Sequence, residues 1–198
     1  MNIQNYNKII LVGSGGSGKS WMAKQLAMIL GYPLYHLDKE LWQPNWVMTP
    51  KEEKIAKQQV MMSGEKWIID GNYTSTLEMR FSAADLIIFL DISRIVCLIS
   101  AIKRTREKRS DMPDFLEEHK ILDKEFIEFC KWIWSYPKTG KKSVMELHEK
   151  YSNKAFLHIT SRHEVKHLIN NSPNSLRGCG IVRYKDYTGT DYKVYTIK

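Results

Sequence analysis

The sequence predicts an α/β fold organised around a parallel sheet, and two observations support this prediction. Five short apolar runs with the character of strands alternate along the chain with segments whose apolar residues recur at helical spacing. One of these runs, DLIIFLD at 85–91, is apolar on both faces, as are strands at the centre of a parallel sheet. We therefore expect a five-stranded parallel sheet covered by helices.

The composition fits one such domain. The 198 residues are 43% hydrophobic, and no apolar run approaches the roughly 20 residues that a membrane span needs. The three cysteines, Cys97, Cys130 and Cys179, form neither a metal-ligand spacing nor a disulfide framework, which predicts a cytoplasmic protein without a membrane partner. The formal net charge of +8 is compatible with nucleic acid or with polyanionic nucleotides, and composition does not separate the two.

A glycine-rich motif, GSGGSGKS, separates the first predicted strand at 8–12 from the first predicted helix at 21–30. It fits G-x-x-x-x-G-K-[ST], the phosphate-binding P-loop, in which a glycine-rich turn and a helix N-terminus direct backbone N–H groups at phosphates. The predicted phosphate-binding residues are Gly13, Ser14, Gly15, Gly16, Ser17, Gly18, Lys19 and Ser20. Lys19 would contact the β- and γ-phosphates, and the Ser20 hydroxyl would bind Mg²⁺.

The second predicted strand, YPLYHLD at 32–38, ends in Asp38. Ligands bind at the carboxyl ends of strands in such sheets, so Asp38 is a candidate to orient an acceptor hydroxyl and to accept its proton. The alternative is an acid that only starts the following loop. That loop carries Trp42 and Trp46, which are candidates for contact with the acceptor, before a helix predicted at about 50–62.

The third and fourth strands both end in an aspartate, Asp70 and Asp91, and either could hold the hydrated Mg²⁺. We favour Asp70 because Gly71 leaves the site open, whereas Asp91 could simply start the next helix. Neither acid precedes Glu, so the Asp-Glu pair of many ATPase motors is absent from the sequence, as is the Asn-Lys-x-Asp guanine reader. These absences favour a small kinase.

The helix after the fourth strand is expected to face the core with its aliphatic residues, Ile95, Val96, Leu98, Ile99 and Ile102. It ends in a basic run at 103–109. Arg104, Arg106 and Arg109 are candidates to neutralise the migrating phosphoryl group, because guanidinium groups fit phosphate oxygens as a fork. The alternative is a solvated basic end that complements the helix dipole.

The remaining elements are a long helix from Asp114, a helix at 142–151, a fifth strand at 155–160 and a last helix at 162–170. The long helix carries an apolar stripe at Phe115, Leu122, Phe126, Phe129, Ile133 and Tyr136. Its aromatic residues could stack on a base, although such a stripe is more typical of a core. The Tyr- and Gly-rich tail could pair 181–187 with 192–197 as a hairpin.

The chain resembles the bacterial DNA topology modulation proteins, which are P-loop NTPases similar to adenylate kinase and other small nucleoside and nucleotide kinases. The shared motifs are GSGGSGKS, YHLD, IIDGNY, ADLIIFLD, the basic run with RSDM, and EFCKWIWSYPK. Over about 8–170, the resemblance implies a three-layer P-loop kinase-like fold with sheet order 2-3-1-4-5, ATP at Gly13–Ser20 and a helical lid. It also implies an acceptor region between Asp38 and Arg80.

The sequence differs from adenylate kinases after Asp70. Those enzymes continue as Asp-Gly-Phe-Pro-Arg, whereas here Gly71 is followed by Asn72-Tyr73 and the next arginine is Arg80. This departure argues against a nucleoside monophosphate as the acceptor.

Two functions follow as hypotheses. The first is an ATP- and Mg²⁺-dependent kinase of a small molecule of nucleoside or nucleotide type. The second is an ATP-dependent regulatory protein that influences DNA topology through a basic surface. We expect one kinase-like domain at 1–171, with its lid at about 104–136, and a separate tail at 172–198.

Overall fold

The computed structural model describes residues 3–44, 47–105, 113 and 123–170, together with the backbone of 182–185 and 191–194. The strands in chain order are β1 Lys8–Gly13, β2 Leu34–His36, β3 Trp42–Gln43, β4 Val47–Met48, β5 Trp67–Asp70, β6 Leu86–Leu90, β7 Ala155–Ile159, β8 Val182–Lys185 and β9 Asp191–Val194. The α-helices are α1 Lys19–Leu30, α2 Leu37–Leu41, α3 Lys51–Met62, α4 Thr74–Ala83, α5 Arg94–Arg104, α6 Lys124–Ser135, α7 Gly140–Lys150 and α8 Arg162–Asn170.

Five strands form a parallel sheet in the order β2-β5-β1-β6-β7. Counted within the sheet, this is the order 2-3-1-4-5 that the resemblance implies. The central strand β1 pairs Leu11 with Asp70 on one side and Val12 with Phe89 on the other. The predicted α/β class is confirmed. The glycine-rich motif begins at the end of β1, the central strand of the sheet.

The sheet is buried on both faces because its central strands are apolar over most of their length. Ile9 and Leu11 of β1 contribute to one core, and Ile10 and Val12 contribute to the other, as the alternation of side chains along a strand requires. The first core packs against α1, α5 and α8, and the second packs against α3, α4 and α7. The layers are therefore helix, sheet and helix.

Helix α5 turns a different side toward the core from the one that the sequence predicts. Cys97 and Ala101 are buried, whereas four residues of the predicted inner stripe are exposed: Ile95, Val96, Ile99 and Ile102. The cause is the close approach of the helix backbone to the glycine-rich loop, where a Cβ on Gly16 would overlap the Cys97 carbonyl. This distance leaves room only for small side chains on the inner side of α5.

Two differences concern the segment after β2. The strand ends at His36, and Asp38 lies in the first turn of α2 rather than at the end of the strand. The following loop contains the antiparallel pair β3 and β4, which carries Trp42. Trp46 lies outside the described residues.

Only part of the predicted long helix is described, as α6, and residues 106–112 and 114–122 lie outside the described part of the chain. Within that part, Phe126, Ile133 and Tyr136 are buried, as the predicted stripe requires. In the tail, β8 and β9 pair antiparallel in the segment where the sequence suggests a hairpin. None of the helices among the described residues has the length and hydropathy to cross a bilayer.

Candidate active site

The glycine-rich loop runs from the end of β1 to the start of α1, at the carboxyl edge of the sheet. Gly16 adopts a left-handed φ of 77°, which a side chain would strain. The hydroxyls of Ser14 and Ser17 are buried and have no hydrogen-bond partner among the described residues. Buried polar groups are normally paired, so these two hydroxyls indicate a place where a polar ligand completes the loop.

Lys19 lies at the first position of α1, and its Nζ donates a hydrogen bond of 2.9 Å to the Ser14 carbonyl. Burial lowers the pKa of Lys19, and the carboxylates of Asp70 and Asp38 partly oppose this shift. The ammonium group is therefore held inside the loop, close to two acids, where a bound phosphate would neutralise it.

Asp70 ends β5 beside the loop. Its Oδ2 lies 3.0 Å from His36 Nδ1, whereas its Oδ1 is buried without a hydrogen-bond partner in the described part of the chain. Burial alone would raise the pKa of Asp70. The hydrogen bond and charge of His36, the charge of Lys19 and the hydroxyl of Ser20 outweigh that effect, so the net shift is downward. Asp70 is therefore an ionised oxygen donor beside Ser20, which is the donor chemistry that Mg²⁺ prefers.

Asp91 has a different environment. Its Oδ2 lies 2.6 Å from Lys141 Nζ and 3.0 Å from His158 Nε2. These contacts tie the end of β6 to α7 and β7. The geometry therefore favours Asp70 over Asp91 as the carboxylate next to the loop.

The turn after β5 is built by Arg80, which is fully buried. Its guanidinium donates hydrogen bonds to three consecutive carbonyls: Gly71 at 2.7 Å, Asn72, and Tyr73 at 3.2 Å. Burial lowers the pKa of Arg80 to about 9, so the group stays protonated at neutral pH. These bonds stabilise a φ of 40° at Tyr73, a conformation that is rare for an aromatic residue.

The turn places two side chains at the site. The Asn72 amide accepts a hydrogen bond of 2.9 Å from Gly13 N and donates one to Gly13 O. The Tyr73 hydroxyl donates a hydrogen bond of 2.8 Å to Asp38 Oδ1. Burial, together with the negative charge of Asp38, raises the pKa of Tyr73, so its hydroxyl remains a neutral donor. One turn therefore contacts both the phosphate loop and Asp38.

A cavity of about 720 Å³ lies over these residues. Its lining residues come from the loop, α1, α2, β3, the turn after β5, α5 and α6, and they include Gly15, Lys19, Ser20, Asp38, Trp42, Asn72, Tyr73, Arg104, Glu125 and Trp132. Three of the residues predicted from sequence to carry the reaction, Lys19, Asp38 and Arg104, thus line one cavity. The fourth, Arg109, lies outside the described residues, as does Arg106.

Helix α6 covers the loop with aromatic side chains. Phe129 and Trp132 stack at a centroid distance of 5.8 Å, and a Cβ on Gly15 would lie 2.5 Å from Phe129 Cζ. Trp134 instead lies outside the cavity lining, where its ring stacks under the Arg94 guanidinium at 3.9 Å. The aromatic motif of α6 therefore serves the core in part and the candidate site in part.

Sequence reasoning missed four contributors to this site: His36, Asn72, Tyr73 and Arg162. Arg162, at the start of α8, donates a hydrogen bond of 2.8 Å to the Gly16 carbonyl. The turn signal Gly71-Asn72 and the motif DGNY marked the position of two of them without revealing their contacts. His36 gave no signal, because a histidine in a strand is ordinarily structural.

No family model matches this chain, and no curated protein sequence matches it significantly. The resemblance to topology modulation proteins therefore stays an expectation. Solved structures share the fold. They include a shikimate kinase from Acinetobacter baumannii in complex with shikimate, with a TM-score of 0.52 and 13% identity over 85% of this chain and 93% of that chain. A gluconokinase from Sinorhizobium meliloti has a TM-score of 0.50 and 14% identity over 86% and 91%. The chain thus shares the fold of these two structures.

Proposed function

We propose that the protein is an ATP- and Mg²⁺-dependent kinase that transfers the γ-phosphoryl group to a hydroxyl of a small molecule. One observation carries this proposal. A phosphate loop, a lysine, an arginine and a carboxylate from separate elements line the same cavity. Phosphoryl transfer depends on positioning and on neutralising charge, and this set of side chains supplies both.

The donor half of the cavity comprises the loop and its neighbours. The loop N–H groups and Lys19 would bind the triphosphate. The hydroxyl of Ser20 and the neighbouring Asp70 carboxylate are oxygen donors that fit a hydrated Mg²⁺. When bound, the ion would neutralise charge on the β- and γ-phosphate oxygens.

Asp38 and Arg104 supply the chemistry at the transferred group. The acceptor oxygen forms a bond to the γ-phosphorus while the bond from that phosphorus to the β–γ bridging oxygen breaks. ADP leaves with that electron pair, and the proton of the acceptor hydroxyl passes to the Asp38 carboxylate. Tyr73 holds Oδ1 of that carboxylate, which fixes its orientation. Arg104 lines the same cavity and would stabilise the charge on the transferred phosphoryl oxygens.

The acceptor is of nucleoside or nucleotide type in this proposal. Trp42 and Phe126 give the cavity planar faces on which a ring can stack. The cavity lining therefore suits an acceptor that carries both a hydroxyl group and a planar ring.

The test is acceptor-dependent release of ADP. Purified protein with ATP and Mg²⁺ is supplied in turn with nucleosides, nucleotides and sugars. We expect one class to raise ADP release at least tenfold above ATP alone, and Asp38→Asn to reduce that stimulated rate by roughly 10²-fold, the scale of a lost general base. ATP affinity should remain near that of the wild type.

Glu65→Gln, at an exposed acid, is the matched control and should leave the rate unchanged. The regulatory hypothesis predicts the opposite pattern: ATP binds, no acceptor stimulates ADP release, and duplex DNA binds with a steep dependence on salt. That pattern would overturn the kinase proposal.

A further inference from the structure

Arg80, the arginine of the predicted acceptor region, uses its guanidinium to bind backbone carbonyls. Arg80 is fully buried, and both of its terminal nitrogens donate to carbonyls of the turn after β5. A guanidinium used in this way cannot also form a fork around a phosphate or carboxylate of the acceptor. Arg80 therefore shapes the acceptor region without binding an anion there.

The surface that this turn presents to the cavity is acidic or neutral. We define the acceptor face as Asp38, Trp42, Met48, Tyr73 and Thr74, all of which line the cavity. Its one acidic side chain is Asp38, whose carboxylate accepts a hydrogen bond of 2.8 Å from the Tyr73 hydroxyl. The remaining members offer a hydroxyl, an indole ring and a thioether. Such a face can accept hydrogen bonds from hydroxyls and pack against a ring.

The opposite rim, on α6, carries charges of both signs. Among the described residues that line the cavity, the charged side chains are Lys19, Arg104, Lys124, Asp38, Glu125 and Glu128. The first two would be neutralised by the triphosphate. Lys131 pairs with Glu128 at 2.8 Å, so Glu125 is the main opposing acid on this rim. With a nucleotide bound, the charges that the described lining presents to an acceptor are Asp38, Glu125 and the exposed Lys124, together with the negative phosphates.

We propose that the acceptor is an uncharged or cationic alcohol with a planar or apolar face, and that an acceptor with its own phosphate or carboxylate is rejected. The inference rests on the proposed kinase function. It narrows the class of acceptors from nucleosides and nucleotides to compounds that, like nucleosides, carry no phosphate. It also distinguishes this chain from the fold neighbour whose bound ligand, shikimate, is a carboxylate. Repulsion between the Asp38 carboxylate, the bound phosphates and an anionic acceptor would favour the uncharged compound.

The experiment compares matched pairs that differ only in charge. Protein saturated with a non-hydrolysable ATP analogue and Mg²⁺ is titrated with adenosine and AMP, thymidine and TMP, and an uncharged hexose and its 6-phosphate, at constant ionic strength. Prior saturation keeps the phosphorylated members out of the donor site. We expect each pair with measurable binding to favour the uncharged member by about tenfold or more.

Charge-removing variants give a second readout. Asp38→Asn and Glu125→Gln should each narrow the ratio between uncharged and phosphorylated members several-fold, whereas Glu149→Gln, on the exposed part of α7, should leave it unchanged. Circular dichroism and the affinity for the ATP analogue check that each variant is folded. A ratio that stays the same in both variants would overturn the inference.

The outcomes also separate the two proposals. Tighter binding of the phosphorylated members, or binding of no uncharged member while the ATP analogue binds normally, would overturn the inference and leave the donor site intact. Failure of the ATP analogue to bind would overturn the kinase proposal itself.

Discussion

The side-chain amide of Asn72 pairs with both main-chain groups of Gly13, the first glycine of the phosphate loop. This contact joins the turn after β5 to the end of β1 across 59 residues of sequence. Since the same turn carries Tyr73, which contacts Asp38, the donor and acceptor parts of the cavity share one rigid support.

Asn72→Ala should weaken that support. It leaves the N–H and C=O of Gly13 without partners, and an unsatisfied buried group costs about 1–3 kcal/mol. We expect a lower free energy of unfolding in urea and weaker ATP binding by calorimetry. Asn153→Ala, at an exposed asparagine, is the control. Equal stability and equal ATP affinity in the two variants would show that the pairing contributes nothing.

Lys19→Met should separate ligand binding from stability. The charge of Lys19 is disfavoured by burial, which lowers its pKa, so replacing the ammonium with an apolar chain should leave the ligand-free protein at least as stable as the wild type. The rise in melting temperature caused by ATP and Mg²⁺ should disappear. Lys51→Met, on the exposed start of α3, should retain that rise. An unchanged ATP-induced shift in Lys19→Met would contradict the assignment of the loop.

Asp70→Asn should abolish the effect of Mg²⁺ on ATP affinity, whereas Asp91→Asn should leave it unchanged. Asp70 lies beside Ser20, so its variant should lose the increase in ATP affinity that Mg²⁺ produces. Asp91 pairs with Lys141 and His158, so its variant should lose stability and keep the Mg²⁺ response. Calorimetric titration of ATP with and without Mg²⁺ measures both. Loss of the Mg²⁺ response in Asp91→Asn alone would reverse the assignment.

Arg104→Ala should lower kcat more than it weakens ATP binding, because charge on the transferred group peaks in the transition state. An arginine in this role can contribute about 10³-fold to kcat. Lys103→Ala removes an exposed charge one residue earlier and should change neither quantity. Equal kcat in the two variants, measured with the identified acceptor, would assign Arg104 to a solvated helix end.

The elements that could be predicted are those whose signal is local. The strand at 67–70, the helix at 162–170 and the phosphate loop follow from periodicity and from one motif, and their boundaries agree with the structure. The helix α2, which carries Asp38, is not predicted from the sequence, and the role of Asp38 beside an acceptor stays a prediction.

The features that could not be predicted depend on contacts distant in sequence. The inner side of α5 is set by its distance from Gly16, so the small residues Cys97 and Ala101 face inward although the aliphatic stripe is more hydrophobic. Bonds from Arg80 and Asn72 to main-chain atoms have no periodicity and depend on the tertiary fold.

The contact between Gly15 and Phe129 also limits which sequences the loop can tolerate. The general motif allows any residue at the position of Gly15, yet here a methyl group would collide with the Phe129 ring. In a saturation library, Gly15→Ala should therefore be depleted, and Phe129→Ala in the same chain should partly restore it. Gly16→Ala should not be restored in this way, because its obstacle is the main chain at Cys97. Two positions at which the general motif allows any residue are thus restricted to glycine in this chain. The side chain of Phe129 in α6 restricts Gly15, and the main chain of α5 at Cys97 restricts Gly16.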